Sequence, residues 1–257
     1  MLRERVIPCL LMTDRGFVKT KKFRNPVYIG DPINALRIFN DKYADEIIVL
    51  DIEAGLDGKK IKFDLIKQFA GELFMPLCYG GGIANIRDVE TIVSSGVEKI
   101  AINTANYESL KLMRDASKTY GSQSVVGSID VNKGIFGSYF LAYKNGRKKS
   151  GIALLDHVKK IEDAGAGEII VQAIHKDGTK TGYDIELVQS IVENTNVPVI
   201  ACGGASKFED MADVIVKTGV AAAAAGSIFV FHGKLDGILI NMPDEKQREQ
   251  AFEKYKL

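Results

Sequence analysis

Apolar residues along this chain gather in short unbroken runs and do not alternate with polar ones. Eight such runs recur: "RVIPCLL", "EIIVLDI", "MPLCYG", "EKIAIN", "SVVGSID", "EIIVQAI", "VPVIACG" and "VAAAAAG". Each is about six residues long, as expected for a strand buried on both faces of a parallel sheet. Between most of them lie segments whose apolar residues recur at three- and four-residue steps. Examples are "FDLIKQFAGEL", "NIRDVETIVSSG", "ESLKLMRDASKTYG", "ALLDHVKKIEDAGAG" and "DIELVQSIVENT". That spacing lines apolar side chains along one face of a helix, and several of these segments end in glycine. Eight strands alternating with about eight helices predict an α/β chain folded as a (β/α)8 barrel. The 257 residues suit one such barrel over residues 1–257, with a C-terminal helix near 243–256.

The chain also repeats itself at an offset of about 120 residues, which predicts half-barrels near 1–120 and 121–240. "PLCYGGGIAN" (Pro76 to Asn85) matches "PVIACGGASK" (Pro198 to Lys207). "DGKKIKFDLI" (Asp57 to Ile66) matches "DGTKTGYDIE" (Asp177 to Glu186), and "VEKIAINT" (Val97 to Thr104) matches "VAAAAAGS" (Val220 to Ser227). By the same offset "IPCLLM" falls on "VGSIDV", so Leu11 stands opposite Asp130. The first half ends its opening strand in a leucine where the second half has an acid.

Barrel chemistry belongs to the C-terminal ends of the strands and the loops that follow them. "YGGGI" and "CGGAS" occupy equivalent loops after the third and seventh strands. Glycine there permits close backbone approach, and free N–H groups at the following helix starts suit an anion. Tight strand-to-helix turns without a ligand would call for the same glycines. Asn103-Thr104 and Gly226-Ser227 end the neighbouring strands and add hydrogen-bonding groups. Two related anion sites across one mouth fit a small molecule with a phosphate at each end. Asp51, Asp130, His175 and Asp177 stand at strand ends between these sites. A buried carboxyl there can move a proton. Asp51 equally fits a structural acid that bonds the neighbouring loop, and His175 a loop histidine with satisfied partners. Lys19 lies in the segment from Leu11 to about Asp31, read as a long basic loop able to close over a phosphorylated ligand.

Composition narrows the field. Lys and Arg number 34 against 33 Asp and Glu, for a net charge of +1, which leaves no electrostatic footprint for nucleic acid or an acidic membrane. The three cysteines, Cys9, Cys78 and Cys202, sit in apolar runs without CxxC spacing and read as reduced buried thiols. Neither HExxH, a cysteine cluster nor a carboxylate cage is present, so neither a metal nor another cofactor is expected. Arg3, Glu4 and Arg5 precede an apolar run of about seven residues that contains a proline, too short for a signal peptide. No stretch approaches the roughly 18 apolar residues of a membrane span. A cytoplasmic location is expected.

Taken in order, "RVIPCL", "FVK", "GDP", "GGGI", "INTA", "GSQSVV", "ID", "GAGEI", "DGTKTGYD" and "CGGA" resemble the cyclase subunit of imidazole glycerol phosphate synthase (HisF) almost end to end. In that family the barrel takes ammonia from a glutaminase partner, HisH, and combines it with a bis-phosphorylated nucleotide. The resemblance implies one phosphate site at Gly82, Asn103 and Thr104. It implies a second at Asp177, Gly178, Gly204, Gly226 and Ser227. It makes Lys19 the loop lysine and Asp130 one of two catalytic aspartates; the other falls on Leu11. Gln172, Ala173, His175 and Cys202 also depart from the family's residue types at the mouth. At the opposite end it implies an ammonia gate of alternating charge at Arg5, Glu46, Lys99 and Glu168, with Glu98 and Gln123 on the partner-facing side. Position alone would allow these four to be ion pairs that close the barrel bottom.

A kept gate with a lost proton-transfer group most resembles the second-copy HisF-like proteins of bacterial surface-polysaccharide clusters. These accompany a glutaminase and an amidotransferase that makes acetamidino sugars. Two other readings stay open. One is a true cyclase in which His175 or Asp51 takes over the missing proton transfer. The other is a non-catalytic scaffold that binds and activates its glutaminase.

Overall fold

The computed structural model describes residues 4–233 and 235–255. Arg3 and the expected end of the C-terminal helix, residue 256, lie outside them. The eight apolar runs form β1 (Arg5–Thr13), β2 (Ile47–Asp51), β3 (Leu77–Gly80), β4 (Lys99–Ile102), β5 (Val125–Lys133), β6 (Glu168–Ala173), β7 (Val199–Cys202) and β8 (Ala222–Ala225). Each pairs in parallel with the next, and β8 returns to β1 with Arg5 opposite Ala222 and Pro8 opposite Ala225. The sheet is therefore closed, a (β/α)8 barrel.

Two apolar sets show why the runs do not alternate in polarity. Inward side chains include Ile7, Ile48, Val126, Ile170 and Ile200, which fill the barrel axis. All three cysteines point there too, buried and free. Outward side chains such as Leu10, Val49 and Ile169 meet the helix layer in a larger cluster. Burying each such side chain is worth roughly 1.5–3 kcal/mol, so both faces of every strand favour apolar residues. The helices follow the segments their periodicity marks: Phe63–Glu72, Ile86–Ser94, Lys111–Tyr120, Leu154–Asp163, Ile185–Val192 and Phe208–Thr218. Asn85 starts the second of these with a reciprocal capping box to Asp88. The C-terminal helix is shorter than the pattern suggested, Glu245–Glu253.

The segment after β1 corrects the sequence reading. It is a hairpin, Gly16–Lys21 paired with Arg24–Gly30, not a long loop, and its first strand runs antiparallel to the end of β1. The second half repeats the device: β5 carries an antiparallel strand, Tyr139–Tyr143. Leu11 pairs with Val18 in the first half and Asp130 with Ala142 in the second. Both residues thus stand where the barrel strand turns into its hairpin, which gives the half-barrel repeat a structural counterpart.

Candidate functional site

The C-terminal mouth holds a cavity of about 630 Å³. Its wall brings together Asp51 from β2, Asp130 from β5, Gly82 from the loop after β3, and Asn103 and Thr104 from the end of β4. The backbone N–H groups of Gly82, Asn103 and Thr104 donate to no protein acceptor among the described residues. Such a cluster of free donors suits an anion. Gly82 has φ +70°, and a Cβ there would lie 2.9 Å from that of Ala54, so the loop depends on glycine.

Asp130 is buried at the cavity wall, and burial pushes its carboxyl up to about 7. Asn103 beside it opposes that rise, and the Asp177 charge adds to it. A carboxyl poised there can give or take a proton near neutral pH. Asp51 is 4% exposed. Its Oδ1 accepts from the N–H groups of Glu53 and Ala54, both at 2.9 Å. Its Oδ2 has no hydrogen-bond partner, and the Lys62 ammonium stands 3.9 Å away. Burial raises this carboxyl as well, against the two N–H donors and Lys62. One oxygen therefore serves the loop, as the structural reading of Asp51 requires, and the other is free.

The second glycine loop lies in a separate, smaller space of about 20 Å³, which borders Lys19, Asp177, Gly178, Gly204, Gly226 and Ser227. That is room for about one water. Lys19 points down into it from the hairpin and is 6% exposed. Its ammonium donates to the Cys9 carbonyl at 3.3 Å and lies so close to Gly226 that a Cβ there would collide with it. Asp177 latches the hairpin: its Oδ2 accepts from the Thr20 hydroxyl at 2.7 Å and the Phe23 N–H at 3.1 Å. Leu11 and Gln172 border both spaces and form the partition between them. The Leu11 side chain, 4% exposed, offers no proton-transfer group there.

His175 is not brought to either space. Its Nε2 lies 2.7 Å from Asp184 Oδ2, while Asp184 also accepts from the Tyr139 hydroxyl at 2.9 Å and caps the helix Ile185–Val192. Its Nδ1 is buried without a partner. Sequence reasoning did not single out Lys144 and Asn145, which also line the large cavity. Their signal was present in "YKNGRKK", whose Asn-Gly marks a hairpin turn.

At the opposite end Arg5, Glu46, Lys99 and Glu168 form a closed ring. Arg5 reaches Glu46 at 3.2 Å and also bonds Glu168. Lys99 reaches Glu46 at 3.0 Å and Glu168 at 2.9 Å. Burial works against the Lys99 charge, yet the Glu168 and Glu46 carboxylates hold it above its ordinary value. Burial raises Glu46 against the pull of Lys99. Nearby, Glu98 accepts from the Leu77 N–H at 2.9 Å, and Gln123 follows the helix Lys111–Tyr120. Among the described residues no group of three or more His, Cys, Asp or Glu could hold a metal ion, and no helix is long and apolar enough to cross a membrane.

A closed barrel with glycine loops at equivalent places in its two halves is the architecture, and sequence comparison gives its class. The profile of the family described as "Histidine biosynthesis protein" matches residues 5–236, and the chain belongs to that family. Within it the chain is of the HisF type. It is 51% identical over 244 residues to a Pseudomonas aeruginosa protein provisionally named imidazole glycerol phosphate synthase subunit hisF2, covering 95% of this chain and 97% of that one. It is 42% identical to the provisionally named subunit hisF3 of Vibrio vulnificus, with 98% of each chain covered. It is 38% identical to the imidazole glycerol phosphate synthase subunit HisF of Alkaliphilus metalliredigens, over 90% of this chain and 92% of that one.

Proposed function

We propose that the chain is the barrel subunit of a glutamine amidotransferase assembly distinct from the histidine-pathway enzyme. It binds a HisH-like glutaminase at the charged ring and passes ammonia along the barrel axis. The nitrogen then goes to another reaction, in acetamidino-sugar and surface-polysaccharide synthesis, with a sugar amidotransferase as a further partner. The observation that carries this reading is the contrast between the two ends. The four gate charges are all present and paired, while Leu11 occupies the position related by the half-barrel repeat to Asp130. A proton-transfer group is typically worth about 10²–10⁴-fold in rate, so the chain should cyclise the histidine-pathway nucleotide poorly. The test supplies the purified chain and a HisH-type glutaminase with that nucleotide and glutamine. Weak cyclisation with retained glutaminase binding supports the reading, and turnover at ordinary enzyme rates overturns it.

One observation favours a second reading, a working cyclase. The unpartnered Oδ2 of Asp51 lies in the same cavity as Asp130, on the strand next to Leu11. It would take the missing proton transfer, and Asp51→Asn would then abolish cyclisation.

A further inference from the structure

The net charge of +1 conceals an uneven distribution. Three hairpins stand on the mouth: Gly16–Lys21 with Arg24–Gly30 after β1, Tyr139–Tyr143 with Lys148–Lys149 after β5, and Phe231–His232 with Gly237–Ile238 after β8. The second leans on the first, where Gly146 packs against the Phe23 ring. The loop after β6 abuts the first hairpin at Gly178, beside Thr20 and Lys21, and Lys180 ties that loop to the third hairpin through Asp236. Lys21, Lys22 and Arg24 on the first hairpin, and Lys148 and Lys149 on the second, are exposed and form no ion pair among the described residues. Asp14, Asp57 and Asp236 on the mouth loops are already paired with lysine or arginine. The rim therefore carries a local excess of positive charge.

The same hairpins hold large apolar side chains out in water. Ile135 and Phe136, at the turn between β5 and Tyr139–Tyr143, are each 99% exposed, and Leu235 on the third hairpin is 96% exposed. Val27 and Tyr28 on the first are exposed as well. Apolar tips set among unpaired cations are the composition of a surface that another molecule covers. We propose that the mouth rim is the docking surface for an acidic face of the protein that consumes the ammonia, the sugar amidotransferase of the assembly. The inference rests on the proposed ammonia path, whose outlet this rim surrounds. Ammonia released into water at neutral pH is protonated and ceases to be a nucleophile, so its acceptor has to sit on the outlet. Charge and chemistry select among occupants. A second copy related by a two-fold axis would set these cations against themselves. A lipid surface would satisfy cations and tips alike, but it leaves the ammonia without an acceptor.

Biolayer interferometry tests the proposal, with the full chain immobilised and two separate analytes, a HisH-type glutaminase and the purified sugar amidotransferase of the same organism. Amidotransferase binding should weaken as NaCl rises from roughly 50 to 300 mM. The double variant Lys21→Glu/Arg24→Glu, and Lys148→Glu alone, should each weaken it at least about tenfold, because each sets like charges together. Phe136→Asp should weaken it as well. All three should leave glutaminase binding at the charged ring unchanged, which also shows that the barrel is folded. No amidotransferase binding by the wild type, or binding that these variants leave intact, overturns the proposal. So does binding of the wild type to phosphatidylglycerol vesicles that the amidotransferase does not displace, or a wild-type dimer that Lys148→Glu breaks. Failure of the glutaminase alone to bind would instead sink the reading of the ring, so the two failures are told apart.

Discussion

Asp130→Asn should stabilise the protein at alkaline pH and not at acid pH. The carboxyl is buried, and its folded-state value is raised from 3.8 to about 7. Below 3.8 both folded and unfolded chains hold the proton, so the group has no effect on stability. Between 3.8 and about 7 the unfolded chain ionises while the folded one stays protonated, so stability falls as pH rises. Above 7 the loss levels off. At about 1.4 kcal/mol per decade, the interval is worth about 4 kcal/mol. An asparagine of the same shape carries no charge to desolvate. The stability difference between variant and wild type should therefore grow from near zero at pH 4 to about 3–4 kcal/mol at pH 8. Urea unfolding of both proteins across that range measures it, and other titrating groups cancel in the difference. A difference independent of pH, or a less stable variant at pH 8, would refute the claim that Asp130 is held as a poised, desolvated acid.

Burial, and then the Lys160 charge, lowers His157 to about 4, so it is neutral in the fold. Its contribution is complete above pH 6.5 and lost as pH falls toward 4, by about 3 kcal/mol, and His157→Phe should flatten that part of the acid limb in a melting series. Lys99→Met leaves Glu46 and Glu168 with Arg5 as their remaining cation in the ring; breaking such a pair costs roughly 3–5 kcal/mol, read as a lower urea midpoint. Lys19→Met removes a buried ammonium bonded to one carbonyl, so it should raise the melting temperature in phosphate-free buffer and abolish any rise on adding phosphate.

The barrel was legible because both faces of its strands are buried, which turns them into unbroken apolar runs, and because the helices carry their own period. The pairing of Leu11 with Asp130 was legible as well, since the half-barrel repeat preserves register. The hairpin after β1 was not. Five of the seven residues from Arg24 to Gly30 are exposed at the strand's start, so no apolar run marks it. Lys19 could be named from sequence, but its burial could not, because that depends on Asp177, 158 positions away, latching the hairpin. His175 looked equivalent to other strand-end groups. Asp184, the cap of the following helix, draws it away, and that contact has no signature in local spacing.

The central claim is that Leu11 removes a proton-transfer group that cyclisation needs. Cyclisation of the histidine-pathway nucleotide, with ammonium salt as the nitrogen source, should be measured for the wild type and for Leu11→Asp. Ammonium bypasses the glutaminase, so the rate reports on the mouth alone. The account predicts a slow wild type and a gain of about 10²–10⁴-fold in the variant. A wild type at ordinary enzyme rates, with little change on substitution, would contradict it.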